Sequence, residues 1–399
     1  MRGRDILSVL ALVLVAVRSP AAVVYVDVGA VGANSGVTWG NAFTNLQAAI
    51  TNSPSGSELW VRAGVYAPIA LRTNTAVYGG FTGTETNRGA RNWQANTTWI
   101  NGGGARAVTI AKGATLDGVT ITNTAGVAGS VYFNRVHGTL ANCRIVGNVS
   151  NDAVQLLQPG DIEGGTTLVS NCEFRDHTGT AVFYNGRTNL VPGPHLVTID
   201  RCLFVGNQTA GSGGAIRTDH AAEWLKIQNC VFERNAAAGA GGAFYIAYNQ
   251  FSPGTDVQAI NCTFYSNACP AGKAICVAFE SARLNLQNCI VWGATNDQIR
   301  TQNGSPSVQY GFCDIEGGEG AVYIRHGSGT NLGNILDADP QFADAAFHLG
   351  DSSPCIDTGF AGGAPDYDRD GLLRPQGAGV DMGAYEVGAG MTGAMILIR

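Results

Sequence analysis

Asn229-Cys230-Val231-Phe232-Glu233-Arg234-Asn235 is one copy of a pattern, Asn-Cys-x-Phe-x-x-Asn, that recurs around Cys143, Cys172, Cys202, Cys230 and Cys262 and more weakly at Cys289. Successive cysteines lie 29, 30, 28, 32 and 27 residues apart. A period of that length marks a stack of similar supersecondary units rather than one convoluted core.

The stretch from Gly213 to Gly242 shows a whole unit. Ile216 and Thr218 alternate with Arg217 and Asp219, Leu225-Lys226-Ile227 alternates again, and Cys230-Val231-Phe232 does so after an interruption at Asn229. Period-two alternation predicts three short strands per unit. Asparagine tolerates the left-handed backbone of a sharp bend. Asn142, Asn171, Asn229, Asn261 and Asn288 therefore predict a ladder of side-chain amides along one edge, which Arg201 breaks. The second asparagine of the pattern, at 148, 207, 235 and 267, is expected to turn the chain again, with His177 in its place in one unit. No unit buries an apolar face alone, but stacking aligns Ile216, Phe244 and Ile275 in one interior row, with Leu225, Ile227, Cys230 and Phe232 in others. The fold class that follows is all-β: a right-handed single-stranded parallel β-helix, or solenoid, of roughly ten turns.

A chain of 399 residues forms one elongated domain under this reading, because an array grows by stacking. Met1-Arg2-Gly3-Arg4, the apolar run Ile6 to Val17 and Ser19-Pro20-Ala21-Ala22 read as a signal peptide over residues 1–22, which implies a secreted or cell-surface protein. No later stretch is long enough for a transmembrane span. Residues 23–58 form an N-terminal cap in which Phe43 to Ile50 has helical spacing, and residues 59–336 carry the repeats. Residues 337–387 lose the repeat and form an irregular C-terminal cap, followed by a tail at 388–399. With a net charge of -6 and only 14% charged residues, the chain offers no basic surface for nucleic acid. The ladder cysteines read as buried thiols, whereas Cys269 and Cys276 lie off the ladder and are candidates for a disulfide.

The pairing of Phe204 to Asn207 with Gly213 to Ile216, and of Phe232 to Asn235 with Gly241 to Phe244, resembles exported bacterial β-helix proteins of the pectin-lyase-like class. It is also similar to the repeats of polymorphic outer-membrane proteins. Ala338-Asp339-Pro340-Gln341-Phe342, Ser352-Ser353-Pro354-Cys355-Ile356-Asp357 and Asp381-Met382-Gly383-Ala384-Tyr385-Glu386 resemble the choice-of-anchor Q domain. That resemblance implies export or surface association. It also implies that Arg374, Asp381 and Glu386 belong to the cap, where an ion-pair network competes with a metal site. The polygalacturonase motifs Asn-Thr-Asp, Asp-Asp and Gly-His-Gly do not occur, so a hydrolase of that kind is not expected.

The outward row of the first strand is expected to hold Gln155, Phe183 and Asn185, Arg217 and Asp219, Tyr245, and then Cys276 and Glu280. Aromatic rings suit sugar faces, and Arg with Asp suits hydroxyls or carboxylates. This is the candidate binding face for a polysaccharide or a surface glycan or protein, with Phe183, Asn185, Arg217, Asp219, Tyr245 and Glu280 as contact residues. Arg217, Asp219, His220 and Tyr245 are the candidates for a lyase, in which a base removes the proton beside a uronate carboxylate. The alternative is that Arg217 and Asp219 form a solvated ion pair on a spacer or adhesin. Asp366, Asp368 and Asp370 alternate before Gly371, a spacing that suits calcium, with Asp381 to complete the cage.

Overall fold

The computed structural model describes residues 22–127, 129–149, 152–157, 165–185, 196–219, 225–247, 255–279, 282–294 and 296–388. Among them the strands form three long parallel sheets of twelve, eleven and ten strands, in which each strand pairs with its counterparts one coil away. Leu225–Gln228, Val231–Glu233 and Phe244–Ile246 are one such coil, contributing in turn to the twelve-, eleven- and ten-stranded sheets. The chain is a right-handed parallel β-helix. No helix of the described residues is long and apolar enough to cross a membrane.

The bend between the twelve- and eleven-stranded sheets falls on the first asparagine of the pattern. Asn142, Asn171, Asn229, Asn261 and Asn288 have φ of 49° to 54°, and Arg201 adopts the same conformation at 54°. Single asparagines visit this region at low cost because their short amide bonds locally. The second asparagine does not turn the chain. The left-handed residue there is its predecessor, Gly147, Asp176, Gly206, Arg234 or Ser266. Asn207, Asn235 and Asn267 point inward instead, buried, each donating through Nδ2 to a phenylalanine carbonyl one coil back: Phe174 at 3.0 Å, Phe204 at 3.0 Å and Phe232 at 2.9 Å. This interior amide ladder satisfies carbonyls that the corner would otherwise orphan.

Cys143, Cys172, Cys202, Cys230, Cys262 and Cys289 are buried free thiols, and Cys313 adds a seventh rung. Beside them Phe174, Phe204, Phe232 and Phe264 stack with ring centroids 4.8, 4.8 and 4.6 Å apart, which matches the strand spacing of a sheet. Cys269 and Cys276 are also free, so the disulfide expected between them is not formed. The Cys269 thiol instead donates to the carbonyls of Ala271 at 2.9 Å and Gly272 at 3.1 Å.

The sheet begins earlier than the repeat pattern suggests, because Val23–Val26 pairs in register with Glu58–Arg62. The short helix Leu46–Asn52 is capped by the Asn45 side chain and buries Leu46, Ala49 and Ile50 against the core. Residues 337–388 lie along the flank. Phe347, Ala384 and Tyr385 cover Val231, and Leu349, Cys355 and Met382 cover Ile290, so outward apolar residues of the eleven-stranded sheet are buried by this strap.

Candidate functional site

The ten-stranded sheet presents an outward column of side chains. Register places Thr109, Tyr132, Gln155, Phe183, Arg217, Tyr245, Cys276, Arg300 and Tyr323 on successive rungs, about 4.8 Å apart. Guanidiniums sit over the rings of this column: Arg106 at 4.0 Å from the Tyr132 centroid, Arg217 at 5.7 Å from Phe183 and Arg300 at 4.9 Å from Tyr323. Such pairs hold a planar cation and an aromatic face in fixed relation.

Arg217 makes a two-pronged pair with Asp219, Nε to Oδ1 at 3.0 Å and Nη2 to Oδ2 at 2.7 Å. The Asp219 carboxylate raises the Arg217 pKa, so the guanidinium stays charged. Burial pushes the Tyr245 hydroxyl up to about 12, with Cys276 adding to the effect and Arg217 opposing it, so at neutral pH the phenol is a hydrogen-bond donor and not a base. Neither Arg217 nor Tyr245 is thus poised to accept a proton.

Asp152 is the group that the sequence reading missed. Burial raises its carboxyl to about 7, with Arg217 lowering it and Asp219 raising it further. Alternation counted back from Gln155 points to Ala153, yet Ala153 and Val154 are both buried, so the period slips there and hides Asp152. Cys276 also departs from expectation. It occupies the outward register but has no exposed surface, because Ala240, Ala271, Ala278 and Tyr245 pack over it. This roof divides the column into a long part from Tyr132 to Tyr245 and a short part at Arg300 and Tyr323. Asn185 pairs in register with Asp219, while its side chain, His220 and Glu280 lie outside the described residues.

The aspartates of the strap do not converge. Asp368 spends its oxygens on the N–H groups of Leu372 at 2.7 Å and Glu386 at 2.9 Å, and Asp381 on those of Asp357 at 2.8 Å and Val387 at 2.7 Å. Asp370 faces His348 Nε2 at 2.9 Å, and Asp366 is exposed beside Tyr367. Among the described residues no three metal-ligating side chains gather in one place. The donor set does not fit a calcium cage, since the buried oxygens already accept from backbone donors.

Residues 193–354 match the family model of the right handed beta helix region. No curated protein matches the sequence. Among solved structures, one similar chain is the pectate lyase Pel9A, at 12% identity, with a TM-score of 0.47, 92% of this chain covered and 97% of that one. The functional reading of this β-helix rests on its own residues.

Proposed function

We propose that this is an exported β-helix that binds an extended polysaccharide along the outward column of the ten-stranded sheet. The observation that carries the reading is the register itself: Tyr132, Gln155, Phe183, Arg217 and Tyr245 on consecutive rungs. Aromatic rungs stack on sugar faces, the amide bonds to hydroxyls, and the guanidinium attracts a carboxylate. A linear polymer lying along the axis meets one such group per coil. Affinity electrophoresis of the mature chain in gels containing uronate and neutral polysaccharides tests this, with retardation expected and its absence across the panel refuting it.

One observation favours a second reading, a lyase. Burial raises the Asp152 carboxyl to about 7 within the electrostatic reach of the charged Arg217, a combination of proton acceptor and carboxylate neutraliser that a lyase uses. Ultraviolet absorbance from unsaturated chain ends, lost in Asp152→Asn, supports turnover; retardation without such product supports binding alone.

A further inference from the structure

The outer amide ladder is interrupted at Arg201, and a cleft opens there. Asn171 donates to Asn142 at 2.7 Å and Asn288 to Asn261 at 3.1 Å, but at Arg201 the amide is missing. Asn229 donates instead to Asp200 Oδ1 at 3.1 Å and to the Tyr367 carbonyl of the strap at 2.9 Å. The strap thereby bridges past Arg201 and leaves a cavity of about 510 Å³ between itself and the outer face of the twelve-stranded sheet. That volume suits a small ligand.

Its lining has four chemically useful groups. Lys226 points from the outer face of its strand, between Thr198 and Gln258 in register, and its ammonium has no partner among the described residues. Arg201 uses only Nε, on Asp200 Oδ2 at 3.0 Å, so its two Nη atoms remain available. The Tyr367 ring is more than half exposed, and the exposed Asp366 carboxylate stands next to it. Asp200 accepts from Arg201 Nε, Gln228 and Asn229, so the Lys226 ammonium and the Arg201 Nη atoms are the unused donors of the lining.

We propose that this cleft is a second binding site, distinct from the column on the ten-stranded sheet, and that it takes the carboxylate-bearing ring of an acidic saccharide. Lys226 and the free edge of Arg201 hold the carboxylate, the Tyr367 ring lies against the sugar face, and Asp366 accepts from hydroxyls. The arrangement needs both halves of the molecule, since the cations belong to the coil and the ring to the strap.

Saturation-transfer NMR and calorimetry on the mature chain test this with D-galacturonate, D-galactose and acetate as probes. Galacturonate is expected to bind, with Lys226→Met and Tyr367→Ala each weakening it about tenfold or more, and galactose weaker by a similar factor. These variants are compared in an Arg217→Ala background, which removes the column's own carboxylate-binding group, so that the galacturonate signal reports the cleft. Absence of galacturonate binding overturns the proposal, as does binding that survives both Lys226→Met and Tyr367→Ala. Acetate displacing galacturonate at equal concentration reduces the cleft to a plain carboxylate pocket and also overturns it.

Discussion

Asn288 binds the strap as a strand would: its Nδ2 donates to the Phe360 carbonyl at 2.9 Å while its Oδ1 accepts the Phe360 N–H at 2.8 Å. The side-chain amide mimics a peptide group, so the outer ladder is both a set of bends and a docking edge. Asn261 donates to the Asp381 carbonyl at 2.8 Å, and Asn334 to that of Thr358 at 2.7 Å.

Removing that amide loosens the strap. Asn288→Ala leaves the Phe360 groups unpaired and is expected to cost about 1–3 kcal/mol. Limited proteolysis reports it, with faster cleavage within 337–388 than in the coils. Equal protection in variant and parent contradicts the docking role.

Arg374 and Glu386 form a pair 2.6 Å apart with 1% and 0% side-chain exposure. Burial lowers the guanidinium pKa and raises that of the carboxyl, so each charge depends on the other. Arg374→Met is expected to destabilise by roughly 3–5 kcal/mol because it strands a buried carboxylate. Adding Glu386→Met should recover much of that loss in urea denaturation, and a double variant no better than the single one would exclude the pairing as the cause.

His177 stands where other coils place an inward asparagine, and burial lowers its pKa to about 4. An ordinary unfolded histidine titrates near 6.5, so between these values the unfolded chain binds more protons than the folded one. Stability tied to His177 is therefore complete above about pH 6.5 and lost as pH falls towards about 4, by roughly 3 kcal/mol in all. His177→Asn should remove this acid loss. Asp152 acts oppositely: with its carboxyl raised to about 7, its contribution falls as pH rises from about 4 to about 7. Denaturation midpoints of the parent, His177→Asn and Asp152→Asn between pH 4 and 8 separate the two.

Tyr245→Ala on the column is expected to weaken polysaccharide binding about tenfold, since a stacking ring is worth on the order of 1 kcal/mol. Thr109→Ala, outside the aromatic stretch, serves as the control. Retardation in affinity gels compares them, and equal effects would place the polymer elsewhere.

The sequence alone determined the coil. Alternation, the recurring cysteine and the asparagine before it are local features, and a local period repeated in register dictates parallel stacking, the bend at Asn229 and the interior of Phe204 and Phe232. It also placed Phe183, Arg217 and Tyr245 on one outward column. Only the tertiary structure decided where the strap goes, because residues 337–388 have no period to align and find their partners through single contacts such as Asn261 with Asp381, 120 residues apart. Bonds within the strap spend Asp368 and Asp381 on backbone donors, and its docking creates the cleft at Arg201. Local folding hid Asp152 and Cys276 too, the first behind a slip in alternation, the second beneath a roof that no strand pattern records.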